Sequence, residues 1–90
     1  MSLFEDMLGR EFIKFASENN LKKVQACIDL DVDVNVGDSV GFGSTAAHLA
    51  AIRGHTEVIR LLAATGQVDW SKLDNLGWTP LHRALNLRFN

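Results

Sequence analysis

Apolar residues near the start of the chain recur at steps of three and four, which is the spacing of one face of an α-helix. The stripe consists of Leu8, Phe12, Phe15 and Ala16, and Ile13 widens it. This pattern predicts a first helix over residues 5–17. The helix should end at residues 18–20, because the asparagines there tolerate the left-handed conformation that follows many helices.

Four more segments carry helical patterns, over residues 21–30, 46–53, 56–65 and 80 to about 87. Gly54 and Gly66 follow the third and fourth of the five segments, where glycine favours termination of a helix. The buried side of the second predicted helix should consist of Leu21, Val24, Ala26, Cys27, Ile28 and Leu30. The pattern therefore predicts five helices.

The last predicted helix opens with a distinctive motif, Gly77-Trp78-Thr79-Pro80-Leu81-His82-Arg83-Ala84. Thr79 is a good N-cap, Pro80 suits the first helical position, and the His82 ring can reach back over Thr79. A second copy, Gly43-Ser44-Thr45-Ala46-Ala47-His48-Leu49-Ala50, lies 34 residues earlier and keeps the glycine, threonine, histidine and alanine. A period of about 33 residues is typical of stacked helical repeats.

The motif and its period resemble the ankyrin repeat, whose threonine-proline-leucine-histidine signature opens a helix. The resemblance implies an all-α ankyrin-repeat solenoid of antiparallel helix pairs with projecting β-hairpin-like loops. It divides the chain into a divergent capping repeat over residues 1–37, a full repeat over 38–73 and a truncated repeat over 74–90. The first unit lacks the signature, having Arg10-Glu11-Phe12-Ile13 in its place, and its outer face should be polar.

Two loops should project from the stack. Gly41 lies four residues before Thr45, whereas Gly77 lies two residues before Thr79. The first loop, residues 36–44, should therefore carry a two-residue insertion and be longer and looser than the second. Trp70, at the base of the second loop, should be packed.

Composition narrows the class of partner. The 90 residues are 47% hydrophobic and 22% charged, as in an ordinary folded domain, and the net charge of −2 gives no support for nucleic-acid binding. A single cysteine excludes an internal disulfide and a thiolate metal cluster, and no apolar run reaches the roughly 20 residues of a membrane span. We therefore expect an intracellular location, cytoplasmic or nuclear, with neither nucleic acid nor membrane as partner.

The residues that suggest chemistry also have structural interpretations. His48 and His82 could be catalytic or bind a metal. The motif, however, places a threonine three residues before each histidine, and the histidine ring can form a hydrogen bond with that threonine. Cys27 could be a reactive thiol, yet its apolar neighbours favour a packed side chain. The sequence has no nucleophile–base pair at a local motif spacing, no phosphate-binding loop and no dinucleotide fingerprint. We therefore expect no enzymatic activity, no cofactor and no bound metal.

The resemblance implies that the chain binds another protein through a concave face made by the loop tips and the first helices. Carried over by position, this face comprises Ser39, Val40, Phe42, Ile52, Arg53, Asn75, Leu76, Trp78, Asn86 and Leu87. Two roles stay open for Trp78, which are docking on the neighbouring loop and contact with a partner.

A structural or assembly role is the alternative function. The last predicted helix has no partner helix after it, so Leu81 and Leu85 would lack the cover that a following helix gives in a solenoid. The chain would then self-associate through this helix, or complete a longer ankyrin array.

Overall fold

Five α-helices make up the regular structure of the part of the chain that is described. The computed structural model describes residues 2–39 and 42–89, with side chains up to residue 84. In chain order the helices are α1 (Leu3–Ser17), α2 (Leu21–Asp29), α3 (Ala46–Arg53), α4 (Thr56–Ala64) and α5 (Pro80–Phe89). Helix α3 packs between α1 and α5 in one layer, and α2 packs on α4 in a second layer. Because short links join α1 to α2 and α3 to α4, each pair is an antiparallel hairpin of helices.

The predicted helices agree with the structure to within two residues at each end. The largest difference at an N-terminus is that α1 begins at Leu3 rather than residue 5. The hydroxyl of Ser2 accepts a hydrogen bond from the Glu5 N–H at 3.1 Å, while the Glu5 carboxylate accepts from the Ser2 N–H at 3.3 Å. This reciprocal capping box stabilises a turn of helix before the apolar stripe begins.

Left-handed residues end the first three helices. Asn19, as predicted, has a φ of 58°, Asp31 has a φ of 60° and Gly54 has a φ of 70°. After α2, the Val32 N–H donates to the Cys27 carbonyl at 3.2 Å and the Asp31 N–H donates to the Ile28 carbonyl at 3.0 Å. This pair of hydrogen bonds is a Schellman motif, with aspartate in the position that usually holds glycine.

The core lies between the two helical layers and under the loops. Its fully buried side chains include Phe12, Ala16, Val24, Val58 and Leu62. The predicted buried side of α2 is confirmed at Val24 and Cys27. It is wrong at Ala26, which is exposed, and at Leu30, whose side chain is 57% exposed. Two helical steps turn Ala26 through about 200° from Val24, onto the opposite face, and Leu30 is the residue after the end of the helix.

The exposed surface of the first unit is not uniformly polar, contrary to what we expected of a cap. Leu3, Phe4 and Met7 are all exposed on α1, and Leu30 is exposed beyond the end of α2. Exposed apolar residues that lie together are informative about binding, whereas isolated ones are not.

Hydrogen bonds also join one repeat to the next along the loops. The Asn35 side chain accepts from the Asp69 N–H at 2.7 Å and donates to the Gln67 carbonyl at 2.9 Å. The Lys72 ammonium donates to the Asn35 carbonyl at 2.6 Å. These bonds hold the start of the second loop beside that of the first.

Candidate functional site

Two loops project next to each other, the first loop (residues 36–44) and the second loop (residues 70–78). The Asp38 N–H donates to the Ser44 carbonyl, and the Asp74 N–H donates to the Trp78 carbonyl, both at 2.9 Å. These equivalent bonds close residues 38–44 in the first loop and residues 74–78 in the second, so the closed segment is two residues longer in the first loop. The predicted two-residue insertion is therefore confirmed, while the looseness of the first loop stays a prediction.

The loops meet near their tips. The Asn75 N–H of the second loop donates to the Phe42 carbonyl of the first at 2.6 Å. A Cβ atom on Gly43 would lie 2.5 Å from the Asn75 Oδ1 atom, so glycine permits this close approach. The side chains of Phe42 and Leu76, which are 64% and 56% exposed, are thereby held on neighbouring loops. We call Phe42, Asn75 and Leu76 the loop junction.

The Trp78 ring docks on helix α5. The Arg83 guanidinium lies over the ring at 4.8 Å from its centroid, and the His82 ring meets it edge-on at 6.4 Å. Because Trp78 remains only half-buried, part of its surface is accessible beside the loop junction. Of the two roles left open for Trp78, docking is therefore observed, but the ring docks on α5 and not on the neighbouring loop.

Asp74 organises the second loop from inside. Its buried carboxylate accepts from the N–H groups of Leu76 and Trp78, both at 3.0 Å, and from Arg83 Nε at 2.7 Å. Burial raises the pKa of the Asp74 carboxyl, but the hydrogen bonds from Trp78, Arg83 and Leu76 outweigh it, so the pKa lies below its ordinary value. This ion pair was not predicted from the sequence, where its signal is an aspartate in a turn nine residues before an arginine on the next helix.

Both motif histidines bond to the threonine that begins their helix. The Thr45 N–H donates to His48 Nδ1 at 3.2 Å, and the Thr79 N–H donates to His82 Nδ1 at the same distance. His48 is buried, and its Nε2 donates to the Trp78 carbonyl at 2.7 Å, since a carbonyl can only accept. The structural interpretation of the two histidines is confirmed, and His48 in addition supports the second loop.

The Cys27 thiol is packed inside the protein. Cys27 is buried as predicted, and burial, with a smaller effect of Glu11, raises the pKa of its thiol. A raised pKa keeps the thiol protonated and unreactive at neutral pH. Across residues 2–39 and 42–89, no three His, Cys, Asp or Glu side chains are grouped so that they could hold a metal ion.

The structure describes most of the ten predicted binding residues. Five are exposed: Ser39, Phe42, Arg53, Asn75 and Leu76. Two are half-buried: Ile52 and Trp78. Val40 lies outside the described residues, and Asn86 and Leu87 lie in α5 beyond the described side chains. The structure joins Phe42, Asn75 and Leu76 at the loop junction, while contact of any of the ten with a partner stays a prediction.

Two exposed apolar residues of the second loop, Trp70 and Leu73, were not predicted to be exposed. Trp70 was expected to be packed but is 42% exposed, and Leu73 is exposed as well. Trp70 directly follows Asp69, whose backbone N–H and carboxylate form hydrogen bonds with Asn35 and Ser71, so the chain turns at the surface there.

No helix in the described part of the chain is long and apolar enough to cross a membrane.

Known proteins resemble this chain in the same repeats. The sequence profile described as Ankyrin repeats (3 copies) matches residues 12–89. Protein phosphatase 1 regulatory subunit 12A of Mus musculus is 52% identical over 42 residues, which are 47% of this chain and 4% of that protein. SMC5-SMC6 complex localization factor protein 1 of Bos taurus is 35% identical over 75 residues, 82% of this chain and 7% of that protein.

Inversin of Danio rerio is 36% identical over 79 residues, covering 83% of this chain and 7% of that protein. The chain thus spans less than a tenth of the length of these relatives. The profile match extends over both copies of the motif and over the whole described buried core, which begins at Phe12. The chain therefore belongs to the ankyrin-repeat family.

Proposed function

We propose that the chain is a non-catalytic module that binds another protein through the face made by its loop tips and first helices. Ankyrin repeats generally serve as protein–protein interaction modules, and this family is typically non-catalytic. The observation that carries the proposal is the loop junction, where an aromatic and an aliphatic side chain are exposed on adjacent loops that bond to each other.

The junction has the physical properties of a binding anchor. Large side chains that are already held in place lose little conformational entropy when they bind. The Asn75–Phe42 hydrogen bond fixes the two loops relative to each other, and Asp74 fixes the second loop from below. Trp78 adds half-buried aromatic surface stacked on Arg83. A partner therefore meets a pre-arranged apolar surface.

The relatives support a binding role for the repeats. Two of them are named as a regulatory subunit of a phosphatase and as a localization factor of a complex, which are functions of association. For this chain we propose a protein partner, an intracellular location in cytoplasm or nucleus, and no requirement for nucleic acid or membrane. The proposed binding face is the ten-residue set predicted from the sequence.

Affinity capture with matched variants tests the proposal. The chain is immobilised, proteins retained from a cell lysate are identified, and the capture is repeated with Phe42→Ser and Leu76→Ser. Both side chains are exposed, so the variants should stay folded while losing about 1–3 kcal/mol of binding free energy each. Lys22→Ala, an exposed change on α2, is the control and should retain the partner.

Two outcomes would contradict this proposal. A partner retained by both loop variants but lost with Lys22→Ala would place the site on the layer of α2 and α4. Turnover of a substrate that survives extensive purification and disappears with a histidine substitution would contradict the non-catalytic part.

Assembly is the second candidate function, favoured by Leu81. This side chain is 65% exposed on α5, and Leu73 and Leu76 of the second loop are also exposed. Such a surface would be covered if the chain self-associates or completes a longer array of repeats. Self-association without any added partner distinguishes this function from the first.

A further inference from the structure

A cleft opens beside α1, in the first repeat. Its volume is about 140 Å³, and it lies between the first half of α1 and the segment that follows α2. The apolar part of its lining consists of Phe4, Leu8, Gly9, Leu30, Val32 and Val36. Gly9 lets the helix approach this segment closely, because a Cβ atom there would lie 3.3 Å from a methyl carbon of Val36.

The cleft is large enough for one side chain. An apolar cavity of about 150 Å³ in another protein accepts a benzene molecule. Phe4 of α1 and Leu30, which follows α2, both line the cleft and are exposed, so apolar surface continues from the lining onto the rim. An aromatic or large aliphatic group inserted here would cover that surface.

The charged groups of the same cleft are all acidic. Glu5, Asp31 and Asp33 line it, and no lysine or arginine of the described residues forms an ion pair with any of them. Glu5 is ionised at neutral pH like any exposed glutamate, and hydrogen bonds from Ser2 lower its pKa further. Arg10, one turn beyond Asp6 on α1, is already paired with Asp6 at 3.1 Å.

The excess of negative charge extends over the whole first unit. Residues 1–37 contain four lysines and arginines against seven aspartates and glutamates, a net charge of −3, in a chain whose total is −2. The cleft therefore combines an apolar interior with an acidic rim, and the complement of that combination is a large apolar side chain with cations on both sides.

A second copy of the chain is a poorer complement. The end of the molecule near α5 offers exposed Leu81, but the described cations there are engaged. Arg83 is paired with Asp74, and the Lys72 ammonium donates to the Asn35 carbonyl. Among the residues whose side chains are described, docking that end into the cleft would supply apolar surface without a free cation to match the carboxylates.

We propose that this cleft is a second docking site, separate from the loop junction, and that it takes a short basic segment of a partner protein with one large apolar side chain as anchor. The anchor enters between Phe4 and Leu30, and flanking lysines or arginines face Glu5, Asp31 and Asp33. The site does not depend on the binding face proposed above, since it lies on other elements and uses none of the ten residues of that face.

A synthetic peptide tests the site directly. The probe is an amidated peptide with a central phenylalanine flanked on both sides by lysines, titrated into the isotopically labelled chain and followed by NMR. Two matched probes replace the phenylalanine by alanine or the lysines by glutamates. We expect shifts of the amides of residues 4–9 and 30–36, with binding about ten-fold weaker for the alanine probe and absent for the glutamate probe.

Variants connect binding to the cleft. Leu30→Asp puts a charge on an exposed part of the apolar rim and should abolish binding. Asp31→Gly combined with Asp33→Asn removes two charges and should weaken binding about ten-fold, while glycine adopts the left-handed backbone at residue 31 without strain. Asp29→Asn removes one charge from the neighbouring exposed residue outside the cleft lining and should change binding less than two-fold.

Several results would overturn the proposal. They are failure of the lysine–phenylalanine probe to bind at about millimolar concentration, equal binding of the glutamate probe, and shifts confined to the loop junction. Sedimentation of the chain alone supplies another test. A dimer that is dissolved by Leu30→Asp would place a second copy in the cleft and likewise overturn it, whereas a chain whose sedimentation is unchanged by Leu30→Asp supports it.

Discussion

At the scale of single residues, His48 has a structural role, because its ring joins the start of α3 to the second loop. Its Nδ1 accepts from the Thr45 N–H, and its Nε2 donates to the Trp78 carbonyl, which lies 30 residues further along the chain. Both ring nitrogens are therefore occupied inside the protein, and the neutral tautomer is set by its partners. The ring serves as a fixed bridge between the start of α3 and the second loop.

Asp74 has the corresponding role within the second loop, and it makes the stability of the protein depend on pH. The Asp74 pKa is lower in the folded protein than in the unfolded chain, where it is about 3.9. The ionised carboxylate thus stabilises the fold at pH values above the unfolded pKa, and this contribution is lost as pH falls through the folded pKa.

We predict that Asp74→Asn lowers the free energy of unfolding at pH 7 by about 3 kcal/mol, because the half-buried Arg83 side chain loses its counter-charge and the buried position 74 loses its charge-assisted hydrogen bonds. The difference from the unaltered chain should shrink as pH falls below about 4. Urea denaturation across this range measures it. Asp6→Asn, in an exposed pair with Arg10, is the control and should cost less than about 1 kcal/mol. A difference that stays constant down to pH about 2 would contradict the role given to the charge.

At the scale of elements, the repeat pattern predicted the helices well and their ends less well. The stripe of Leu8, Phe12 and Ala16 identified α1, since a helical face recurs every three or four residues whatever it packs against. The start of α1 was missed because it depends on Ser2 and Glu5, a local capping box outside the apolar stripe. Leu30 was placed in the core because the helix was extended by one residue past its actual end.

The candidate site was less predictable than the fold. The two-residue insertion in the first loop could be read from the glycine–threonine spacing, since it is a difference of chain length. The Asn75–Phe42 and His48–Trp78 bonds could not, because each joins residues about thirty positions apart whose meeting depends on how successive repeats stack. The side on which Trp78 docks likewise depends on Arg83 lying over its ring.

The contact between the two loops can be tested with glycine substitutions. Gly43 and Gly66 have nearly equal left-handed φ angles, 71° and 68°, but only a Cβ atom on Gly43 would collide with Asn75. We predict that Gly43→Ala and Gly66→Ala each lower the free energy of unfolding by about 1 kcal/mol through the backbone alone. Only Gly43→Ala should displace the exposed Asn75 side chain and shift its amide NMR signals. Unmoved Asn75 signals in Gly43→Ala would mean that the loops do not approach as described.

At the scale of the whole molecule, stability depends on bonds between successive units. The His55 ring bonds to the Ser17 carbonyl at 2.9 Å, tying α4 to the end of α1, and Asn35 ties the first repeat to the second. In a solenoid each unit buries its apolar surface only against its neighbours. Exposed apolar side chains lie at Phe4 of α1 and Leu81 of α5 as well as at the loop junction.

The exposed Leu81 side chain of α5 leads to the last prediction, which concerns self-association. Burial of one large apolar side chain contributes about 1.5–3 kcal/mol, so covering Leu81 is worth at least a ten-fold change in an association constant. We predict that the chain self-associates through α5 at concentrations above about 10 µM, and that Leu81→Gln weakens this association about ten-fold without unfolding the chain, since the side chain is 65% exposed. Sedimentation velocity over a range of concentrations measures both the self-association and the effect of Leu81→Gln.

Leu3→Gln, a change of an exposed residue at the start of α1, is the control and should leave the association unchanged. A monomer at all concentrations up to about 200 µM would contradict the assembly function, and association lost with Leu3→Gln but kept with Leu81→Gln would move the interface away from α5.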